Sequence, residues 1–251
     1  MDIKYLSEKL NILFSSYNNI EKKIHVTWKN KNIINEDYNI IKNGILKLKN
    51  LNPNYEFSIY DNNDIDQYLE KHISKEDYEL IKNKKIVEKV DLWRLLIIYN
   101  EGGIYQDIDR LCNIPLSQVI NNDELKCILP TYYDHDFSQD IMISCSKNII
   151  HKRAIELNLE RRRNNPLAPI LYLGPETYFN AITEILLGFQ LSPSPNKLYF
   201  DFLRDLIEIS PYLKTYREEP LYNTILYQGP EIISDKDLMY KNEDVKHWFS
   251  D

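Results

Sequence analysis

One run decides how this chain can fold. From about residue 86 to 101 it reads IVEKVDLWRLLIIYNE, whose spacing predicts a helix that is apolar on nearly every side. Such a helix has to be buried rather than laid on a surface. Gly102-Gly103 stop it, because glycine reaches the positive φ that closes a helix cheaply. The chain then passes through a brief strand at Ile104-Tyr105 into Asp107-Ile108-Asp109. Between the polar ends of this run, at Glu88-Lys89 and Asn100-Glu101, two polar residues, Asp91 and Arg94, break its apolar middle three positions apart, on one side of the helix. Burying such a pair is costly unless other groups satisfy it, and a ligand with hydroxyls and phosphates would do so.

The rest of the chain alternates strand-like and helix-like segments. Helical spacing covers 3–17, 37–50, the two stretches after Asp61 and Ser74, 149–163, 175–188 (entered through Gly174-Pro175) and 199–209. Short β-branched or alternating runs occur at IHVTW (24–28), YEFSIY (55–60), CILPTYY (127–133) and DIMIS (140–144), with further strand-like pieces at YNTILY and EIIS in the tail. This order predicts an α/β sandwich on a mixed, mostly parallel sheet. No repeat or linker divides the 251 residues, so one domain over 1–251 is expected, with 1–20 as an N-terminal helical extension.

Composition narrows the function classes. A net charge of −7 argues against a nucleic-acid surface, with Arg161-Arg162-Arg163 as a possible local basic patch. Cys112, Cys127 and Cys145 form no C-x-x-C and suggest buried thiols in a reducing compartment. No segment approaches the roughly 20 apolar residues of a membrane span. The N-terminal stretch is too charged for a secretion signal, so a soluble, cytoplasmic chain is expected.

Asp-x-Asp by itself says little, since the chain carries it at Asp64/Asp66, Asp107/Asp109, Asp134/Asp136 and Asp235/Asp237. The second copy differs in context. A short strand delivers it to a carboxyl end, where open α/β sheets bind ligands. Both carboxylates reach one ion if the chain turns there, or if one binds through water. Oxygen ligands of this kind suit Mg²⁺ or Mn²⁺. A cation so held can bridge the diphosphate of a sugar nucleotide while Asp91 and Arg94 contact sugar and phosphate oxygens. A metal-dependent hydrolase of sugar nucleotides or phosphoesters, and a non-catalytic binding module, are the alternatives.

IHVTWK (24–29), DLWRLLIIYNEGGIYQDID (91–109), LGPET (173–177) and HWFS (247–250) together resemble the ordered motifs of the DXD-containing glycosyltransferases of family 32. The core of that family is similar to that of the large clostridial glucosylating toxins. The resemblance implies a GT-A fold, a UDP- or GDP-sugar donor, a metal ion (usually Mn²⁺), and retaining transfer to a glycan, glycolipid or protein acceptor. It also implies residue roles. Asp91 and Arg94 would contact donor sugar and phosphate, Asp107 would contact ribose, sugar or a metal-bound water, and Asp109 would ligate the metal. His247 would complete the metal or diphosphate shell. Trp28 would stack on the base, with Thr27 beside it and an ordinary core tryptophan as the alternative. Where family members carry an asparagine, this chain has Gln139 and Asp140, either of which could face the sugar. The chain ends HWFSD, without the closing Ser-Trp of the family.

Overall fold

A computed structural model describes residues 2–33, 39–109, 114–132, 136–192 and 197–217. The elements run α1 (Ile3–Phe14), β1 (Lys23–Thr27), α2 (Asn39–Leu51), β2 (Glu56–Tyr60), α3 (Asn62–His72), α4 (Lys75–Ile81), α5 (Ile86–Glu101) and β3 (Gly103–Gln106). Then follow α6 (Leu116–Val119), β4 (Cys127–Tyr132), β5 (Asp136–Phe137), β6 (Ile141–Ser144), α7 (Ile149–Asn164), α8 (Ile170–Leu173), α9 (Pro175–Leu187), α10 (Lys197–Ile209) and β7 (Leu213–Arg217). Local chemistry sets several boundaries. The Asp61 carboxylate caps α3 in a reciprocal capping box with Asp64. Ser74 caps α4, and Gly102 and Gly103, with φ of 65° and 92°, end α5.

The strands form one mixed sheet in the order β2-β1-β3-β6-β4-β5, with β7 parallel to β4. Its two longest ladders, β1 with β2 and β4 with β7, are parallel, and β6 enters antiparallel between β3 and β4. Strand alternation separates two cores. Ile24, Val26 and Ile104 point into one, filled by Ile41, Ile45 and Leu48 of α2 and Val119 of α6. Tyr105 points into the other, with Trp93, Leu96 and Ile97 of α5 and Tyr178 and Phe179 of α9. Trp93 is wholly buried against Tyr60, Tyr68 and Tyr105, so truncating it to alanine would cost about 3–5 kcal/mol. Helix α5 is therefore the buried element its sequence demanded.

The arginine run departs from expectation. Arg162 is buried and clamps α7 to α5 through the Glu88 carboxylate and carbonyl, both at 3.1 Å. Arg161 donates to Thr177 at 2.9 Å and to Asn180, and Arg163 makes two 2.7 Å bonds to Asp77. All three guanidinium groups are spent on the fold and offer no basic patch for nucleic acid. Cys127 and Cys145 are free and buried. Cys112 and the strand-like pieces at 222–227 and 231–234 lie outside the described residues. Strand β7 was not anticipated from the sequence. No helix among the described residues is long and apolar enough to cross a membrane.

Candidate active site

Strands β1 and β3 run parallel with His25 opposite Tyr105, so their carboxyl ends bring Thr27 and Asp107 to one edge of the sheet. Strand β6 runs the other way, pairing Ile141 with Gln106. The residues just before it, Ser138, Gln139 and Asp140, consequently arrive at the same edge. The Asp107 N–H donates to the Asp140 carbonyl at 2.7 Å. In the parallel run β2-β1-β3 the strand order reverses between β1 and β3, and carboxyl ends at such a switch point open the kind of crevice in which α/β sheets hold ligands.

Arg94 organises this edge. Its guanidinium lies 3.2 Å from Asp91 and 3.4 Å from Asp107, and donates to the Gln139 carbonyl at 3.0 Å. The Gln139 amide nitrogen donates in turn to Asp91 at 3.2 Å. The Tyr105 ring lies under the guanidinium, 4.8 Å away, and its hydroxyl donates to Asp107 and also bonds Thr27. Gly174, at the junction of α8 and α9, closes the floor. A β-carbon there would sit 2.4 Å from an Asp91 oxygen and 3.0 Å from the Gln139 amide. Asp91, Arg94 and Gln139 are buried, whereas the Asp107 side chain keeps 30% of its surface exposed and gives access from outside. Two buried polar atoms, Arg94 Nε and Gln139 Oε1, have no hydrogen-bond partner among the described residues. Buried orphans of this kind mark places where a bound molecule can supply the missing bond.

Electrostatics point the same way. Burial raises Asp91 to about 6, against the pull of Arg94 and Arg162. Burial likewise raises Asp107 well above the usual carboxylate range, and Asp140 and Asp109 add to the rise while Arg94 and the Tyr105 hydroxyl oppose it. Burial alone would weaken Arg94 as a base, but Asp107, Asp91 and Asp140 around it hold it charged. Acidic groups shifted by burial and like charge beside a fixed cation are characteristic of functional sites.

The structure brings together most of the residues singled out in the sequence. Asp91, Arg94, Asp107, Gln139 and Thr27 join one bonded network. Asp140 adjoins it through its carbonyl, and Asp109 is buried in the turn beyond β3. The chain leaves the strand after Gln106, as a shared ion would require of Asp107 and Asp109. Trp28 follows β1 at the same edge, half-buried against the α2-side core, its backbone N–H donating to the Tyr60 carbonyl at 3.0 Å. His25 is taken by structure, with its ring between Tyr60 and the Gly102 carbonyl. His247, Asp134 and His135 lie outside the described residues. Sequence reasoning missed Tyr105 and the close packing at Gly174. Alternation alone could have found Tyr105, since residues 105 and 107 share a strand face.

Whether a cation fits can be read from the donors. Asp107 senses both Asp109 and Asp140 as like charges, a repulsion that a divalent ion would remove, and every donor is a hard oxygen. Among the described residues no three acidic, imidazole or thiol groups can hold an ion by themselves. Ions such as Mg²⁺ bind through one or two carboxylates and complete their shell with substrate phosphates and water. A cavity of about 240 Å³ elsewhere, lined by Asn19, Lys22, Asn52, Tyr55, Ser117 and Asp123 among others, involves none of these residues.

Residues 8–126, just short of half the chain, match the family described as "Glycosyltransferase sugar-binding region containing DXD motif". No curated protein sequence matches the chain significantly. Seven chains of solved structures do. One of them, "PaToxG Glycosyltransferase", superposes with a TM-score of 0.53 at 19% sequence identity, over 96% of this chain and 92% of its own. At that identity the likeness establishes the fold. The family match spans Trp28, Asp91, Arg94, Asp107 and Asp109, so this chain carries a region similar to the sugar-binding part of DXD glycosyltransferases on a fold shared with a glycosyltransferase.

Proposed function

We propose that the protein is a metal-dependent glycosyltransferase. It moves a hexose from a UDP- or GDP-sugar to a hydroxyl of a glycan, glycolipid or protein, with retention of configuration. The observation that carries this reading is the Arg94 hub, one guanidinium shared by Asp91, Asp107 and the Gln139 carbonyl with Nε left over. Asp107 and Asp109 would hold Mn²⁺ or Mg²⁺, with His247 as a further candidate ligand. When bound, such an ion offsets the negative charge that gathers on the departing diphosphate. Arg94 adds a fixed positive charge beside the same oxygens. Asp91 accepts hydrogen bonds from sugar hydroxyls, and Gln139 Oε1 offers another acceptor. Asp140 would stand near the anomeric centre, and Trp28 would stack on the base.

The acceptor oxygen forms its bond to the anomeric carbon as the carbon–oxygen bond to the diphosphate breaks. The acceptor proton passes to the leaving phosphate. Asp91 and Asp107 are each tied to Arg94, which blunts them as nucleophiles and favours attack from the leaving-group side.

Thermal shifts with UDP- and GDP-hexoses, with and without Mn²⁺, test this reading. One nucleotide sugar should stabilise the protein only when metal is present. Asp109→Asn should abolish that dependence and lower transfer by about 100-fold or more. Full transfer by Asp109→Asn, or no nucleotide sugar that stabilises with either metal, defeats it.

A further inference from the structure

The segment between α7 and α9 exposes an unusual amount of apolar surface. Leu167 is 87% exposed, more than any other large hydrophobic residue among those described, and Leu171 is 60% exposed. Pro166, Pro169 and Tyr172 are exposed beside them. This is not a frayed loop. Lys84 donates to the Pro166 carbonyl, Arg161 to the Tyr172 carbonyl and Asn158 to the Leu173 carbonyl, while Ala168 and Leu173 are buried beneath. The backbone is thus pinned from below with its leucines turned outward. A contiguous apolar patch held in that way marks an interaction surface.

Charge identifies the occupant. The loop between α4 and α5 carries Lys82, Lys84 and Lys85, and Lys84 ties it directly to Pro166. Lys85 is exposed at the start of α5. Of the acids on α4 and α5, Glu79 is paired with Lys82, Asp77 with Arg163 and Glu88 with Arg162, which leaves the charges of Lys84 and Lys85 without an acidic partner in these pairs. Protein–protein interfaces are depleted in lysine, whereas leucines ringed by lysines match the apolar boundary and negative charge of an anionic bilayer. The patch stands out from a chain whose overall charge is −7.

We infer that Leu167 and Leu171, rimmed by Lys84 and Lys85, dock this protein on an anionic lipid surface. Helix α8 leads straight into Gly174, which packs against Asp91 at the floor of the site, so the patch and the site share one element. An acceptor on a glycolipid or membrane protein would rest on the transferase reading; lipid binding itself does not.

The test is co-sedimentation without nucleotide or metal, using vesicles of phosphatidylcholine alone and of equimolar phosphatidylcholine and phosphatidylserine. The whole protein should bind the mixed vesicles only, more weakly as salt rises. Leu167→Asp with Leu171→Asp should lose about tenfold or more in affinity with an unchanged circular dichroism spectrum, and Lys85→Glu should weaken binding less. No binding to mixed vesicles overturns the inference, as does equal binding by the double variant. Sedimentation equilibrium that shows a dimer broken by the same substitutions assigns the patch to a second copy and overturns it as well.

Discussion

Asp91→Asn separates what the site does for function from what it does for stability. In the folded protein burial raises Asp91 from 3.8 to about 6. Keeping it ionised at neutral pH therefore costs the fold about 3 kcal/mol. The fold binds this proton more tightly than the unfolded chain does. Its contribution is therefore fully present below 3.8 and lost as pH rises through 6. Asparagine has no such titration. Removing one partner of a buried pair usually costs several kcal/mol, because the other charge is left alone. Here Arg94 keeps Asp107 at 3.4 Å and the Gln139 carbonyl at 3.0 Å, so it is not stranded. The stability of wild type relative to Asp91→Asn should then fall by about 3 kcal/mol between the acid and neutral ends of that window. Activity of the variant should be lost at all pH values. Urea unfolding of both proteins across the pH range, without metal or nucleotide, measures the difference. A difference that stays flat with pH would refute the burial argument.

Three further outcomes are expected. Gly174→Ala places a β-carbon 2.4 Å from Asp91, so the protein should fold with a loss of about 1–3 kcal/mol and a marked drop in kcat/KM, read by thermal unfolding and transfer assays. Tyr105→Phe removes the hydroxyl that steadies the ionised Asp107, so the acid limb of the pH–activity profile should move to higher pH. His151 is fully buried with neither ring nitrogen partnered among the described residues, and burial lowers it to about 3. Its folded-state neutrality means stability is complete above about 6.5 and is lost as pH falls from there. His151→Phe should lessen that acid loss by about 1.4 kcal/mol per pH unit, seen in unfolding midpoints across the range.

Much of this architecture was legible because single segments carried strong local signals. The run at 86–101 had no polar face, so burial was its only stable outcome, and its double glycine dictated the stop. Strand β1, β2 and β4 signals and the α7, α9 and α10 periods lay within a few residues of the observed elements. Strand β7 escaped because LKTYR has no clean alternation; pairing along β4 makes it a strand. The arginine run was misread as an open patch for a similar reason. Three adjacent cations look like surface until Glu88, Asp77 and Asn180 are seen reaching them from other elements.

The site divides along the same line. That Asp91 and Arg94 share a helix side, and that Asp107 follows a short strand, can be read from helical and extended periods alone. That Gln139 joins Asp91, that Thr27 meets the Tyr105 hydroxyl, and that Gly174 must have no side chain do not follow from any period. These contacts join residues dozens of positions apart, and only the antiparallel entry of β6 beside β3, with α5 packed across both, sets their distances. The sequence by itself determined which residue types were available at the end of β3. The tertiary structure decided which of them share one guanidinium, because burial and charge act through space rather than along the chain.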